Sequence, residues 1–459
     1  MTDIRIRTLE TPSLGDRSYL VHDGEVAFVV DPQRDIDRVL DMAAQEGVRV
    51  LDVFETHIHN DYVTGGLALA EQTGAAYHVN GEDDVSFDRT PIRDGDAIEV
   101  GDRMTVRAIK TPGHTFTHLS YAVEADGRPL AVFTGGSLLY GATGRPDLLG
   151  PQHTEELTRL QHGSAQRLAE LPDETAVFPT HGFGSFCAAG SSEDQPDKST
   201  IGREKEANPA LTESEEAYVR QIIEGLDVYP AYYAQMGPAN AAGPQAPDLS
   251  VPAPADAEEL RRRLEAGEWL VDLRTRTAFA AGHAPGTYNF GIDGQFSTYV
   301  GWMMKWGTPI TLLGESEEQV AEAQRELARI GIDRPAATAT GKPDSWTTKE
   351  LGSYPLATFA DLADVRHHRE VVVLDVRRAS EYDEEHIEGA VNIPIHEIAD
   401  RVEEVPEGEV WVHCASGYRS SIAASFLAAA GRNLVAVDDD YTKAAEAGLP
   451  IAKDQGDGS

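Results

Sequence analysis

The residue best suited to nucleophilic chemistry is Cys414, the first of six residues, Cys-Ala-Ser-Gly-Tyr-Arg, that end at Arg419. The apolar run Val410–His413 predicts a strand, and residues 420–430 predict a helix that Gly431 ends. A cysteine at a strand-to-helix turn faces backbone N–H groups and the positive end of the helix dipole. This environment favours a thiolate, and Arg419 adds positive charge. The segment therefore predicts a reactive cysteine rather than an inert buried one.

A second group of reactive residue types lies near the start of the chain. The predicted strand at 50–54 leads into Glu-Thr-His-Ile-His-Asn-Asp-Tyr, which ends at Tyr62. Two histidines at positions i and i+2 of an extended chain point to the same side, so both can reach one ion. Two further histidines each follow a predicted strand, where loops gather into a site. The predicted metal ligands are His57, His59, Asp61, His114 and His181.

Alternating strands and helices must position these residues over the first ~185 positions, a length typical of one domain. Residues Val26–Val30 and 50–54 predict strands, whereas 36–45 and 66–72 predict helices. A polar stretch at 189–199 predicts a surface loop.

A helix is predicted around 213–224, before a tract rich in aromatic residues, proline and glycine at 229–247. Such a composition suits a linker that is at least partly ordered, and we place the first domain boundary at its end.

An internal repeat follows this tract. Residues 269–290 match residues 372–393 at a constant spacing of 103 positions, and Phe279 is matched by Tyr382. In each copy an apolar strand leads into Asp-x-Arg, as in parallel α/β units. The five identical pairs are Asp272 and Asp375, Arg274 and Arg377, His283 and His386, Gly286 and Gly389, and Asn289 and Asn392.

The two copies, residues 250–345 (the first repeat) and 355–455 (the second repeat), differ at the reactive loop. Where the second repeat has Cys414, the first repeat continues through Leu312, Leu313 and Gly314 without a cysteine. We therefore expect the first repeat to lack nucleophilic activity and to pack against or orient its neighbours.

The second repeat resembles the rhodanese family, both in the Cys414 loop and in the upstream segment LDVR…E…HIEGAVNIP. The resemblance implies that Cys414 carries sulfane sulfur as a persulfide. It also implies that Arg419 and the loop amides, including those of Ser416 and Gly417, bind and stabilise this sulfur. Dual-specificity phosphatases of the related fold have a loop one residue longer, so six residues favour sulfur transfer.

Residues 1 to about 240 resemble the metallo-β-lactamase superfamily. The tracts STIGREKEANPAL (199–211) and GRPDLLG (144–150) narrow the resemblance to its persulfide-dioxygenase and glyoxalase-like branch. In persulfide dioxygenases two histidines and an aspartate hold one iron ion, with open positions for oxygen and substrate. The resemblance carries these two histidines over to His57 and His114.

The chain departs from this pattern at two positions. Tyr62 replaces a second-metal histidine, which agrees with a mononuclear site, and Gly136 replaces the expected aspartate ligand. His59, Asp61 or His181 would then complete the metal shell. The alternative is a domain that binds metal weakly and has lost the oxidation step.

Two more residues are candidate substrate contacts. Arg145 lies in the GRPDL segment, which in related dioxygenases contacts the anionic end of glutathione persulfide, and a guanidinium suits a carboxylate. A surface ion pair is the alternative for Arg145. Cys187 stands where some dioxygenase–rhodanese fusions carry a thiol, although an inert buried cysteine is commoner.

Composition limits the function further. A formal net charge of −38 without a basic stripe argues against a nucleic-acid partner. No apolar run approaches the ~18 residues of a membrane span, and the start lacks a signal core, so we expect a cytoplasmic protein. The two cysteines, without a CxxC pair, favour separate thiols in a reducing compartment.

We therefore expect an α/β protein of three domains. Residues 1–247 form an αββα metallo-β-lactamase-like sandwich, 248–350 a rhodanese-like domain without the loop cysteine, and 351–459 an active rhodanese domain, the last two with parallel sheets. The expected function is sulfur transfer in persulfide metabolism, coupled to a persulfide dioxygenase-type metal site in sulfide detoxification. The alternatives are a sulfurtransferase with a non-catalytic amino-terminal domain and a glyoxalase-type thioester hydrolase.

The resemblance also implies cofactors and partners. The implied metal is Fe²⁺, with Zn²⁺ as the alternative. The expected partners are a low-molecular-weight thiol persulfide, thiosulfate or sulfite, and neither nucleic acid nor a membrane. A homo-oligomer is left open.

Overall fold

The computed structural model of the chain describes residues 4–189 and 198–453, which form two compact units. The first unit comprises residues 1–248 with 328–332, and the second comprises 249–327 with 333–459. Most of the surface loop predicted at 189–199 lies outside the described residues. Within the described ranges, no helix combines the length and apolar character needed to cross a bilayer.

The first unit contains two six-stranded sheets, in the orders β1-β2-β3-β4-β5-β6 and β14-β12-β10-β9-β8-β7, and the small pair β11-β13. The strands are β1 (Arg5–Thr11), β2 (Asp16–His22), β3 (Val26–Val30), β4 (Arg49–Phe54), β5 (Ala76–Asn80), β6 (Thr90–Ile92), β7 (Ala97–Val100), β8 (Met104–Lys110), β9 (Leu119–Ala125), β10 (Arg128–Gly135), β11 (Thr143–Gly144), β12 (Ala176–Pro179), β13 (Ala188–Ala189) and β14 (Ser199–Thr200).

The described residues of the first unit also form seven α-helices, and a short 3-10 helix at Pro151–His153 precedes the third. The helices are α1 (Asp37–Glu46), α2 (Gly66–Thr73), α3 (Thr154–Leu168), α4 (Ile201–Ala207), α5 (Pro209–Thr212), α6 (Glu215–Glu224) and α7 (Tyr233–Ala242).

Three apolar layers explain this arrangement. Side chains of both sheets meet in a central core, where the ring of Phe28 from β3 lies edge-on to that of Phe133 from β10, with centroids 6.0 Å apart. A second core joins the first sheet to α1 and α2, and a third joins the second sheet to α3 and α6. The layer order is helix, sheet, sheet, helix, which confirms the predicted αββα sandwich.

The tract at 229–247 is not only a linker, because α7 lies within it. The helix buries Tyr233, Met236 and Asn240, and it accommodates Pro238 in its interior. The proline and glycine content concealed this helix in the sequence.

The second unit contains a four-stranded sheet, β16-β15-β17-β18, and a five-stranded sheet, β19-β24-β23-β20-β22, in which all neighbouring strands are parallel. The strands are β15 (Trp269–Asp272), β16 (Tyr288–Asn289), β17 (Ile310–Gly314), β18 (Ala337–Thr340), β19 (Leu356–Ala357), β20 (Val372–Asp375), β21 (His386–Ile387), β22 (Val391–Asn392), β23 (Val410–His413), β24 (Leu434–Val437) and β25 (Ile451–Ala452), of which β21 and β25 form an antiparallel pair.

The helices of the second unit connect these parallel strands, as right-handed α/β crossovers require. They are α8 (Ala257–Glu265), α9 (Arg276–Ala281), α10 (Phe296–Met303), α11 (Glu317–Arg329), α12 (Phe359–His368), α13 (Ala379–Glu384), α14 (Ile398–Arg401), α15 (Tyr418–Ala429) and α16 (Thr442–Glu446), with 3-10 helices at Pro343–Ser345, Ile395–Glu397 and Val402–Glu404.

The sequence repeat corresponds to a repeated set of contacts. At the end of each first parallel strand, an aspartate holds the arginine two residues later: Arg274 Nη2 donates to Asp272 at 2.6 Å, and Arg377 Nη2 donates to Asp375 at 2.7 Å. The matched asparagines bind the backbone of the same pairs, Asn289 donating to the carbonyl of Asp272 at 3.1 Å and Asn392 to that of Asp375 at 2.9 Å.

The matched histidines are also equivalent in structure. His283 Nδ1 lies 3.0 Å from the carbonyl oxygen of Phe279, and His386 Nδ1 lies 2.8 Å from that of Tyr382. Each histidine ring stacks on the same aromatic residue, with centroids 4.2 and 3.8 Å apart. The shared residues therefore make the same structural contacts in both repeats.

Candidate functional site

Cys414 lies in the turn between β23 and α15. The residue is only 2% exposed, and its Sγ accepts a hydrogen bond from the backbone N–H of Gly417 at 3.2 Å. The thiol also contacts the hydroxyl of Ser420, 3.6 Å away. An amide directed at sulfur from a helix N-terminus stabilises negative charge on that sulfur. The turn thus provides what a thiolate or a persulfide anion requires.

The backbone conformation at position 417 requires glycine. Its φ is +97°, and a Cβ there would lie 2.2 Å from an oxygen of Asp438. A side chain is therefore excluded on two grounds, and the curled loop requires glycine. Ser416, the neighbouring candidate contact, is exposed.

Arg419 does not touch Cys414 directly but binds Glu381 in a bidentate manner. The Nη1 and Nη2 atoms of Arg419 donate to the Glu381 carboxylate at 2.6 and 2.8 Å. Burial raises the pKa of Glu381, but the hydrogen bonds and charge of Arg419 outweigh it and lower that pKa to about 2. Glu381 was not predicted as a site residue from the sequence, because its contact with Arg419 spans 38 residues.

In the first repeat, only Glu315 and Ser316 separate β17 from α11, so the loop is much shorter there. The equivalent turn therefore has neither a thiol nor the curled loop that would surround one.

Three of the predicted metal ligands converge in the first unit. His57, His114 and His181 are buried, and their ligand atoms all lie within 4.8 Å of one another. The Nε2 atoms of His57 and His181 are 3.4 Å apart. A second group, His59, Asp61 and His181, meets the same criterion and shares His181 with the first.

The Nδ1 atoms of the three histidines each have a hydrogen-bond partner. His57 Nδ1 lies 2.9 Å from the Thr56 hydroxyl, and His114 Nδ1 lies 2.8 Å from the carbonyl oxygen of Arg145. His181 Nδ1 lies 2.9 Å from a carboxylate oxygen of Asp16. Such partners fix the proton on Nδ1 and direct the lone pair of Nε2 inward, as in metal-bound histidines.

The protonation of two of these three histidines, His57 and His114, suits a metal site, because a metal-binding imidazole must be neutral. Burial, with the neighbouring histidines, keeps the pKa of His57 well below its ordinary value and lowers that of His114 to about 3. Burial acts in the same direction on His181, but Asp61 and Asp16 raise its pKa well above the ordinary value. The Nε2 atom of His114 is buried and has no hydrogen-bond partner among the described residues. The donor set therefore fits a divalent cation that accepts imidazole ligands, such as iron or zinc.

Gly136, where the resemblance expects an aspartate, has no room for a side chain. A Cβ at this position would lie 2.3 Å from Cδ2 of His114. The His114 ring thus lies against the space that the aspartate would need. A triad of two histidines and an aspartate from position 136 cannot form in this conformation, whereas the three-histidine group can.

His59 and Tyr62 form a polar contact beside these ligands. The Tyr62 hydroxyl lies 3.0 Å from His59 Nε2, and Asp31 lies 3.3 Å from the same nitrogen. Burial disfavours the charged imidazole, but Asp31 and Glu55 raise the pKa of His59 to about 9. Tyr62 therefore supports His59 at the position where a second-metal histidine was expected.

Two residues of this site were not identified from the sequence. His118 lies with its ring centroid 4.9 Å from that of His57, but it accepts the Gly136 N–H at 3.1 Å and contacts Thr111, so both its nitrogens are used. The spacing His-x-x-x-His at 114–118 was the available signal.

The second overlooked residue is Asn240 of α7. Its amide nitrogen donates to the carbonyls of His59 and Tyr62 at 2.9 and 2.8 Å, and its oxygen accepts the Thr64 N–H at 2.9 Å. One buried carboxamide therefore fixes the loop that carries the first histidines.

The two candidate substrate-binding residues, Arg145 and Cys187, are both buried. Arg145 donates to the Asp147 carboxylate at 2.7 Å from each of two nitrogens and also to the carbonyl of Asp227. Cys187 is fully buried, and burial, followed by the charges of Asp61 and Asp16, raises its pKa well above the ordinary value. Substrate binding by Arg145 and Cys187 remains a prediction.

Comparisons with known proteins place both sites in families. The metallo-beta-lactamase superfamily model matches residues 16–181, and the rhodanese-like domain model matches twice, at 256–347 and 358–447. The chain is 31% identical over 231 residues to hydroxyacylglutathione hydrolase from Rhizobium etli, which covers 44% of this chain and 85% of that protein. The chain belongs to the metallo-β-lactamase superfamily. Its carboxy-terminal half adds two rhodanese-like domains.

Two solved structures are also similar to this chain. A metallo-beta-lactamase from Staphylococcus aureus covers 74% of this chain, over 99% of its own length, with 28% identity and a TM-score of 0.65. ETHE1 from Myxococcus xanthus is 30% identical and covers 52% of this chain and 98% of its own, with a TM-score of 0.44. The rhodanese-like domains of this superfamily member identify it as an enzyme of the sulfurtransferase type.

Proposed function

We propose that this metallo-β-lactamase superfamily protein transfers sulfane sulfur through a persulfide on Cys414. The observation that carries the proposal is the Gly417 N–H directed at Cys414 Sγ from the N-terminus of α15, 3.2 Å away. The first repeat has no cysteine at the corresponding turn. We therefore assign sulfur transfer in this half of the chain to Cys414.

Two displacements describe the transfer. The Cys414 thiolate attacks the outer sulfur of a thiol persulfide, RS–SH. An S–S bond forms between Cys414 and that sulfur, the S–S bond of the donor breaks, and the thiol RSH leaves with the proton. An acceptor such as sulfite, cyanide or a thiol then attacks the terminal sulfur of the Cys414 persulfide. The acceptor keeps that sulfur, and Cys414 leaves as the thiolate.

Arg419 and the loop amides have different roles in this proposal. The Gly417 amide contacts the sulfur, whereas Arg419 is held by Glu381 and supplies positive charge at the edge of the loop. Because Glu381 balances that charge, the loop would not strongly attract small dianions such as thiosulfate. We therefore infer that a low-molecular-weight thiol persulfide is a better donor than thiosulfate.

A direct experiment is to incubate the full-length protein with glutathione persulfide and measure the mass of the Cys414 peptide. Gain of one sulfur atom on Cys414, and its loss on addition of cyanide, would support the proposal. An unmodified Cys414 peptide in active protein would refute it.

A second proposed function, which rests on the inward-directed nitrogens of His57, His114 and His181, is metal-dependent oxidation of persulfides coupled to sulfur transfer in sulfide detoxification. Iron held there would supply oxygen activation, and zinc would supply Lewis acidity. The chain's own contribution is to fix three imidazole rings from outside and to exclude water from them by burial. Both sites would then act on persulfide sulfur.

The hydrolase alternative has less support. Hydroxyacylglutathione hydrolase is the name of a relative, but Tyr62 and Gly136 replace two residues that such a thioester hydrolase normally needs.

Metal analysis combined with oxygen uptake on glutathione persulfide decides between persulfide oxidation and a metal domain without this activity. Stoichiometric iron with oxygen consumption supports oxidation, whereas iron-loaded protein without consumption leaves the metal domain with a binding role alone.

A further inference from the structure

The first repeat contacts the reactive loop of the second. Tyr418, the fifth residue of the Cys414 loop, donates a hydrogen bond from its hydroxyl to the carbonyl of Gly291 at 2.9 Å. Three residues further along the first repeat, a Cβ on Gly294 would lie 2.2 Å from the Tyr418 ring. Glycine at 294 is therefore needed for the ring to approach. The loop that carries Cys414 is thus anchored on the neighbouring repeat.

Tyr299 of α10 lies beside this anchor. Its ring centroid is 5.8 Å from that of Tyr418, and it stacks on Trp302 at 6.1 Å with an interplanar angle of 17°. Trp302 in turn stacks on His396 of the second repeat, with centroids 4.9 Å apart. Tyr299 therefore packs at the junction of the two repeats, next to the Cys414 loop.

The hydroxyl of Tyr299 is nevertheless available. The residue as a whole is 6% exposed, yet its hydroxyl has no hydrogen-bond partner among the described residues and is not among the buried atoms sealed from solvent. A buried ring with an open hydroxyl is the arrangement of a residue that lines a small polar site.

The groups of the Cys414 loop act on the protonation of the Tyr299 hydroxyl. Burial raises the pKa of Tyr299 to about 12, Arg419 acts to lower it, and Cys414 and Glu381 act to raise it. The phenol therefore stays protonated at neutral pH and can donate a hydrogen bond.

We propose that the first repeat completes the sulfur-transfer site: it anchors the loop through Gly291 and Tyr418, and it supplies Tyr299 as a substrate-binding residue whose hydroxyl hydrogen-bonds the transferred sulfur or its thiol carrier. This inference rests on the proposed transfer at Cys414. It gives the repeat without a cysteine a role in the reaction of its neighbour.

The test compares Tyr299→Phe and Tyr418→Phe, which each remove one hydroxyl and keep the ring, in the full-length protein. The matched control is Tyr288→Phe, because Tyr288 also packs across the repeats, stacked on Phe426 at 4.2 Å, but its hydroxyl has no hydrogen bond among the described residues. Sulfur transfer from glutathione persulfide to cyanide gives kcat and KM, and thermal melting reports folding.

We expect kcat/KM for glutathione persulfide to fall roughly tenfold in Tyr299→Phe, as for loss of one hydrogen bond to a charged group, with the thermal midpoint unchanged. Tyr418→Phe should lower kcat and leave KM near the wild-type value, because it loosens the loop. A purely structural role would lower the thermal midpoint without changing kcat/KM of the folded enzyme.

Wild-type kcat/KM in folded Tyr299→Phe, or equal losses in Tyr299→Phe and Tyr288→Phe, would overturn the proposal. If the wild-type protein itself forms no Cys414 persulfide, the underlying transfer function fails instead, and the mass of the Cys414 peptide distinguishes the two cases.

Discussion

The guanidinium of Arg419 and the carboxylate of Glu381 form two parallel hydrogen bonds of 2.6 and 2.8 Å at the edge of the Cys414 loop. Such bidentate pairs fix orientation as well as charge. Arg419 is therefore oriented by a residue on α13, and the loop cannot change shape without breaking this pair.

This pair predicts a pH dependence of stability. The pKa of Glu381 is lowered from 4.5 to about 2, so the pair contributes its full stability above pH 4.5 and loses it as the pH falls towards 2. The difference in thermal midpoint between wild type and Glu381→Gln should thus be large at pH 6 and shrink below pH 4.5. The control is Glu404→Gln, which removes an exposed partner of Arg401 and should change the thermal midpoint little. A pH-independent difference for Glu381→Gln would contradict this assignment.

A methyl group at position 136 should disturb the metal centre. Because a Cβ on Gly136 would lie 2.3 Å from the His114 ring, Gly136→Ala should cost roughly 1–3 kcal/mol and reduce bound metal. Gly163→Ala is the matched control: it lies within α3 with open space around it and should stabilise the protein by up to about 1 kcal/mol. Thermal midpoint and metal content measure both effects. A Gly136→Ala protein as stable and as metal-rich as wild type would show that the His114 ring moves freely.

The three-histidine arrangement predicts which substitutions remove metal. Single changes of His57, His114 or His181 to alanine should each lower the metal content of purified protein well below stoichiometric, because each removes one of three converging nitrogens. His162→Gln changes a half-buried histidine on α3 that lies outside the three-histidine group, and it should leave the content unchanged. Elemental analysis of matched preparations gives the answer, and full retention in His181→Ala would favour a ligand set without that residue.

Asn240 should affect metal binding although it lies on α7, outside the segments that carry the predicted metal ligands. Asn240→Ala removes three hydrogen bonds to the loop 59–64 and should weaken metal binding roughly 10–100-fold, as loss of supporting contacts does at metal sites. Gln235→Ala, an exposed residue on the same helix, serves as the control. Competition with a chelator measures the affinity. Equal affinities for both variants would show that the loop holds its shape without Asn240.

Local patterns predicted much of this molecule. The strand Val26–Val30 was predicted with its observed bounds, because four of its five residues are buried in a continuous apolar run. The repeat was visible because Asp272 and Asp375 specify the same contacts with residues close in sequence. The Cys414 loop was predicted because Cys414, Gly417 and Arg419 also lie close together in sequence.

Long-range contacts could not be predicted in this way. Glu381 lies 38 residues from Arg419, and Asn240 lies 181 residues from His59, so no local spacing relates them. The helix α7 was hidden by its proline and glycine content, which disfavours helices unless tertiary packing compensates. The replacement at Gly136 was visible in the sequence, but only the structure shows that the His114 ring excludes a side chain there.

The measurement that tests the central claim most directly is sulfur transfer from glutathione persulfide to cyanide by Cys414→Ser, compared with Cys187→Ser. Loss of the attacking sulfur should reduce the rate by at least about a hundredfold in Cys414→Ser, and the mass of the 414-containing peptide should no longer increase. Cys187→Ser should retain both the transfer rate and the added sulfur on Cys414. Sulfur transfer at the wild-type rate by folded Cys414→Ser would contradict the assignment of Cys414 as the sulfur carrier.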